Sequence, residues 1–230
     1  MMLSAVMEDY VKAIYHLQMD IDGRVKTSEI AQRLDVTSPT VTSMLDKLED
    51  RALVEREKYQ GVELTREGEQ VALEVIRHHR LLETYLTEHL DYSWSEVHDE
   101  ADRLEHHISE AFEERVADAL NDPTTDPHGD PIPSADLEPP EAESGASLVH
   151  FSEGDTVIVS RVSDRDPTVL DYLEARGVAP GVHLQVEEVA PFGMVTVSTH
   201  PENNTVSLPE RIAHDVRVQE TEIVEETVLN

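Results

Sequence analysis

Six of the chain's twelve histidines fall between positions 78 and 107, and carboxylates lie among them at helical spacing. His79 and Glu83 are four residues apart, as are His98 and Asp102, and Asp102 and His106, while Glu105 follows Asp102 by three. Residues three and four apart share one face of an α-helix, so His98, Asp102, Glu105 and His106 form one polar stripe. Imidazole and carboxylate together suit a first-row divalent ion. An exposed acidic helix that happens to be rich in histidine would show the same spacing, and spacing alone leaves both readings open. Cysteine is absent, which excludes a thiolate site, a cysteine nucleophile and a disulfide scaffold together.

The elements that must position these groups can be read from apolar periodicity. Residues ~4–19 form a first helix, with Val6, Tyr10, Ala13, Ile14 and Leu17 recurring on one face. Thr27 or Ser28 caps a short second helix, and Ser38 followed by Pro39 starts a third that buries Val41, Met44, Leu45 and Leu48. Leu53–Glu57 and Val62–Leu64 flank Tyr59-Gln60-Gly61 as a hairpin. Helix, helix, short break, helix, hairpin is the plan of a winged helix-turn-helix. Thr65 caps a long helix, Ser93 and Glu96 make a capping box for the next, and Ser109 caps one more before Pro123.

Residues 123–148 carry six of the twelve prolines and few large apolar side chains, so they are expected to be an extended, acidic linker. Short β-branched runs punctuated by Gly154, Gly177, Gly181 and Gly193 follow, the pattern of a small β-barrel. The expected fold is mainly α with a small β domain. Its parts are a winged helix-turn-helix at 1–66, a helical domain at 67–122, the linker at 123–148, the β domain at 149–222 and a tail at 223–230.

The formal net charge is −31, from 18 Lys and Arg against 49 Asp and Glu. Residues 1–70 hold nine basic and fourteen acidic residues, and all four lysines lie in the first sixty. An evenly acidic surface with an ordered, 39% hydrophobic interior is the kind that keeps halophilic proteins soluble in molar salt. Net charge is therefore a poor guide to partners. No stretch approaches the ~18 apolar residues of a membrane span and the N-terminus does not read as a signal peptide, so a cytoplasmic protein is expected.

The segments VHDEADRLEHHIS, IRHHRLLETYL, DPHGDPIP and TSPTVTSML, in their respective places, resemble the diphtheria toxin repressor (DtxR) family of metal-dependent transcriptional regulators, manganese-responsive members included. The resemblance runs from about residue 4 to the end of the β domain. It implies a helical dimerisation and metal-binding domain and a C-terminal SH3-like domain of the FeoA type. It also implies a primary metal site at Asp9, Asp102, Glu105 and His106. An ancillary site is implied at His79, Glu83 and His98, with Asp166 as donor from the SH3-like domain and Asp164 as the alternative. Two ions per subunit follow. Iron-responsive members resemble a pattern with Met at the position of Asp9 and Cys at that of Asp102, and both are oxygen donors here, which favours Mn(II) over Fe(II). The small two-domain manganese regulators carry a further Glu ligand where this chain has Lys12, and a charged lysine cannot ligate. That departure speaks against a close binuclear site of their type.

Thr37, Ser38, Pro39, Thr40 and Ser43 match the start of the recognition helix, where methyl groups and hydroxyls can meet base edges. Lys47, Arg51 and the wing's Lys58 match phosphate contacts. The expectation is a homodimeric, metal-activated repressor of metal-uptake genes, binding palindromic double-stranded operator DNA, with no membrane and no small-molecule substrate. A metal-dependent hydrolase is the competing class, because the same cluster types build catalytic sites. No nucleophile or oxyanion donor is discernible for it. A regulator whose metal is only structural is the third reading.

Overall fold

The structure, a computed structural model, describes residues 3–21, 23–140, 145–164, 166–191 and 193–221. The expected tail at 223–230 lies outside them. The chain forms two compact units, each gathered from separate stretches: Met1–Leu82, Asp102–Asp118 and Ile132–Pro140 in the first, and Glu83–Ala101, Ala119–Pro131 and Glu141–Asn230 in the second.

In the first unit, α1 (Ala5–Ile21), α2 (Thr27–Arg33) and α3 (Ser38–Glu49) lead to the hairpin β1 (Val54–Glu57) and β2 (Gly61–Leu64). The cap of α3 is Thr37, one residue before the expected Ser38, and its Oγ1 accepts from the Thr40 N–H. Pro39 then falls within the first turn, where its missing N–H costs no helical bond. Lys26, and not Thr27 or Ser28, begins α2, because the Glu29 carboxylate reaches back to accept the Lys26 N–H at 2.7 Å. The hairpin pairs Val54 with Leu64 and Glu57 with Gly61. Val25 extends it, exchanging both backbone bonds with Val62 at 2.8 and 2.9 Å. Gly61 is required there: its φ is +117°, and a Cβ would lie 2.4 Å from the Val25 carbonyl oxygen.

The long α4 (Arg66–Leu90) starts at Thr65, whose Oγ1 accepts from the Gly68 N–H at 3.0 Å. Then come α5 (Trp94–Leu104) and α6 (Glu110–Ala119). The first unit's core joins Tyr10, Val11 and Ile14 of α1 to Val41, Leu45 and Leu48 of α3 and to Leu73 and Ile76 of α4. Val41, Leu45 and Leu48 recur at helical spacing, so one face of α3 is buried and the opposite face left to solvent.

The second unit holds a six-stranded antiparallel sheet of order β3-β8-β4-β5-β6-β7. Its strands are β3 (Ala146–Ser147), β4 (Thr156–Val162), β5 (His183–Val189), β6 (Val195–His200), β7 (Thr205–Leu208) and β8 (Val216–Glu220), with α7 (Pro167–Glu174) and α8 (Glu210–His214) between them. Leu148, Val157, Val159, Leu170, Leu173, Leu184, Val197 and Val218 fill its core.

The expected linker is not merely extended. Thr125 and Pro131 bridge, and Asp126 Oδ1 accepts from the His128 and Asp130 N–H groups at 2.9 Å each. Asp126, His128 and Asp130 are buried. Gly129, at φ +90°, passes so close to β4 that a Cβ would lie 2.1 Å from the Ser160 carbonyl oxygen. A composition rich in proline signalled an open chain, but an aspartate closing its own turn overrides that prior.

Leu45→Ala is expected to cost about 2–5 kcal/mol by leaving a cavity under α3. Thr42→Ala, on the exposed face of the same helix, should stay within about 0.5 kcal/mol. Urea denaturation of the two variants checks the contrast.

Candidate metal centre and nucleic-acid interface

Helix α1 brings Glu8, Asp9 and Lys12 to the C-terminal end of α5, and α4 contributes His79. His106 is held from two sides: Nδ1 lies 2.7 Å from Glu8 Oε2, and Nε2 lies 2.9 Å from Asp9 Oδ1 and 3.4 Å from Glu105 Oε1. Asp9, Glu105 and His106 each offer a ligand atom within 4.8 Å of the other two. Of the four residues expected to form the primary site, Asp102 is placed differently. It groups with His79 and Glu105, its Oδ1 3.2 Å from His79 Nδ1. His79 also sets Nδ1 2.6 Å from Glu105 Oε2.

Glu105 is only 2% exposed. Burial alone would raise its carboxyl, but the His79 hydrogen bond and the Lys12 ammonium outweigh burial and hold it below the usual range. Burial wins at Asp9, whose carboxyl stands above the usual range despite His106. Lys12 Nζ lies 2.8 Å from Glu105 Oε2, 3.2 Å from Asp102 Oδ1 and 3.2 Å from His79 Nδ1. This donor set fits a divalent ion: carboxylates and imidazole around a buried anion that already draws a cationic stand-in.

Beneath the cluster, His78 Nδ1 lies 3.1 Å from the Glu105 carbonyl oxygen and Nε2 lies 3.1 Å from Glu113 Oε2. Arg77 donates to Glu113 Oε1 and to the Pro133 carbonyl. The His78 hydrogen bond leads in holding the Glu113 carboxyl low, with Arg77 adding to it. His107, by contrast, is exposed.

In the second unit, Glu83 Oε1 lies 3.1 Å from His98 Nδ1, and Glu83 Oε2 lies 3.9 Å from His128 Nδ1. Glu83, Asp126 and His128 form a cluster of potential ligands buried throughout. His128 is 0% exposed, its ring stands edge-on to Trp94 at 5.5 Å between centroids, and both ring nitrogens lack a hydrogen-bond partner. A buried polar group left without a partner costs about 1–3 kcal/mol, so these nitrogens are poised for a ligand. Asp166 caps α7, its Oδ1 accepting from the Thr168 N–H at 3.0 Å. Among the described residues neither Asp166 nor Asp164 joins a ligand cluster. Sequence reasoning missed Asp126 and His128; the signal was the spacing of DPHGD, with Asp126 two and four residues before the N–H groups it accepts from.

The exposed face of α3 carries Thr37, Ser38, Pro39, Thr40, Thr42, Ser43 and Lys47, with Lys58 exposed on the wing and Arg51 half-buried. Thr42 was not expected. Tyr59, 94% exposed at the wing tip, lies under the Lys58 ammonium at 5.1 Å. Arg56 of β1 pairs with Asp46 and Glu49 of α3, offsetting acids beside that exposed face.

Residues 2–62 match the N-terminal DNA binding domain of the iron dependent repressors, residues 65–134 their metal binding and dimerisation domain, and residues 146–220 the FeoA domain. The iron-dependent repressor IdeR of Mycobacterium tuberculosis is 34% identical over 223 residues, covering 92% of this chain and 96% of its own. The chain belongs to the diphtheria toxin repressor family of metal-dependent transcriptional regulators. The diphtheria toxin repressor of Corynebacterium glutamicum is 32% identical over 225 residues, covering 94% of this chain and 96% of its own. A solved manganese-dependent transcriptional repressor in complex with manganese is 37% identical, with a TM-score of 0.82 over 94% of this chain and 100% of that one. The winged helix, the helical domain and the FeoA-type sheet are thus the family's three parts, as the sequence resemblance implied. Among the described residues no helix is long and apolar enough to cross a membrane.

In this member of the diphtheria toxin repressor family, Glu113→Ala would leave Arg77 and His78 without their shared carboxylate beneath the cluster. The expected cost is about 1–3 kcal/mol, against roughly nothing for Glu114→Ala on the exposed face of α6. Thermal unfolding of the two proteins checks this.

Proposed function

We propose that this chain binds double-stranded, palindromic operator DNA as a homodimer when Asp9 of α1 shares a divalent ion with Glu105 and His106, and so represses genes for metal uptake. The observation that carries the reading is the meeting of Asp9 and His106, 97 positions apart, at 2.9 Å. Asp9 stands on the helix whose Tyr10, Val11 and Ile14 pack in one core with Val41, Leu45 and Leu48 of α3. Whatever fixes Asp9 therefore fixes the helix that presents Thr37, Ser38, Pro39, Thr40 and Ser43. An ion held by Asp9, Glu105 and His106 would supply positive charge among their side chains. Without it Glu8, Asp9 and Glu105 crowd like charges at the junction of α1 and α5, and that repulsion loosens the recognition helices from the spacing of two half-sites.

Manganese is the ion we assign. Carboxylate oxygens with one imidazole, in a chain with no cysteine, suit Mn(II), whereas softer sulfur ligands favour other ions. Raw affinity still ranks Mn(II) below Fe(II) at most sites, so the assignment concerns which ion activates at cellular levels. A second ion position is supported by Glu83, Asp126 and His128, with His98 on Glu83. The contribution of these residues is binding and not turnover, which sets the reading apart from a hydrolase.

Titrating Mn(II), Fe(II) and Zn(II) against operator binding by metal-free protein, followed by fluorescence anisotropy, tests the reading. Mn(II) should tighten binding by a factor in the range of about 5–150, and operator should tighten Mn(II) binding by the same factor. Asp9→Ala should remove the stimulation by Mn(II). Activation by anaerobic Fe(II) at a lower free concentration than Mn(II) would replace manganese by iron.

Salt provides an independent check. The net charge of −31 opposes approach to DNA, and at ~1 M salt the Debye length falls to ~3 Å, so that opposition is screened. The loss of affinity with rising KCl should be much shallower than the slope of a basic protein making the same phosphate contacts. A steep monotonic loss contradicts this.

A further inference from the structure

The groups Asp9–Glu105–His106 and His79–Asp102–Glu105 are two potential cation positions that share one residue. Glu105 faces both: Oε1 lies 3.4 Å from His106 Nε2, and Oε2 lies 2.6 Å from His79 Nδ1. A carboxylate placed so is the kind of ligand that bridges two ions about 3.5–4 Å apart. The second position, however, already holds a positive charge. Lys12 Nζ lies 2.8 and 3.1 Å from the two Glu105 carboxylate oxygens and 3.2 Å from Asp102 Oδ1, three acceptors for an ammonium with three N–H groups, and it lies 3.2 Å from His79 Nδ1. Its side chain is only 17% exposed. The arm is short of freedom because α1 is anchored on both sides of it by buried Val11 and Ala13. Lys12 and Asp9 are three apart on α1, hence on one face, so a single helix delivers a carboxylate to the first position and an ammonium to the second.

We propose that Lys12 is a tethered cation filling the second of two adjoining positions, so that this centre takes one divalent ion and Lys12 sets that number. The inference rests on the reading that Asp9, Glu105 and His106 hold an ion. In the metal-free protein Lys12 keeps Asp102 and the buried Glu105 compensated. The centre is thereby half-assembled before any metal arrives, and the ion has only the first position to complete.

The test uses the full chain and Mn(II) alone, with electron paramagnetic resonance and equilibrium dialysis on wild type, Lys12→Glu and Lys12→Gln. Wild type should show magnetically isolated Mn(II). Lys12→Glu should bind one more ion per chain, with the spectrum of a spin-coupled pair. Metal-free Lys12→Gln should melt about 2–4 °C or more below wild type and recover with Mn(II) as the vacated position fills, again with coupling. A spin-coupled pair in wild type overturns the proposal. So does a fall in melting temperature with the ion count unchanged in both variants, since that is the result of an ordinary structural ion pair. If Lys12→Glu does not fold, Lys12→Gln decides alone. A wild type that binds no ion at Asp9, Glu105 and His106 removes the proposed function instead. The melting of metal-free Lys12→Gln then still decides whether Lys12 is the resident cation, equality with wild type refuting it.

Discussion

A buried carboxylate must find positive charge or give up its own, and Glu105 is the carboxylate on which this first unit turns. Taking an anion out of water costs several kcal/mol unless cations and hydrogen bonds replace the lost hydration. Around Glu105 that replacement comes from two helices and a turn: Lys12 from α1, His79 from α4 and His106 just beyond α5. The helix carrying the DNA-facing core and the helices carrying the ligands are therefore held together by one electrostatic demand. The same demand makes the centre responsive, because any cation that satisfies it better than the protein's own groups strengthens the junction.

Charge is handled differently at the DNA-facing surface. A chain with so large an acidic excess cannot depend on bulk attraction to phosphate, and local pairing takes over that role. Arg56 pairs with Asp46 and Glu49 beside α3, and Arg24 pairs with Glu57 and Glu63 on the hairpin. Each exposed pair contributes little stability, about 0–1 kcal/mol. Their effect is on the local potential, leaving hydroxyls, a proline and Lys47 on the free face of α3.

Much of this was legible in residue order. The Thr37-Ser38-Pro39 start of α3, the hairpin around Gly61 and the strands at 156–162 and 205–208 follow from signals that act within a few residues, namely capping, a forced positive φ and β-branched alternation. Helical spacing drew attention to Asp102, Glu105 and His106, although α5 ends at Leu104 and Asp102 groups with His79 and Glu105. It was not legible where tertiary placement chose between neighbours. Nothing in spacing says that Asp102 turns to His79 and Lys12 while Asp9 turns to His106. Asp166 shows a second kind of limit, since Asp-Pro is a helix start and its carboxylate caps α7. His128 shows a third: surrounded by Pro and Gly it read as linker, and only the Asp126 turn reveals that the backbone there is closed and buried.

The first unit is not contiguous along the chain, and its last piece is Ile132–Pro140. Leu137 packs against the core formed by α1, α3 and α4, and the Pro133 carbonyl receives Arg77. During synthesis the ribosome delivers the chain from the N-terminus, and domains generally fold as units. The winged helix can collapse early, but the unit that houses Glu105 stays open until residue 140 has left the exit tunnel. By then Glu83, Asp126 and His128 have also emerged, while the sheet that encloses the second unit's core is still unmade. The segment that closes the first unit is thus delivered before the strands β4 to β8 of the second unit's sheet.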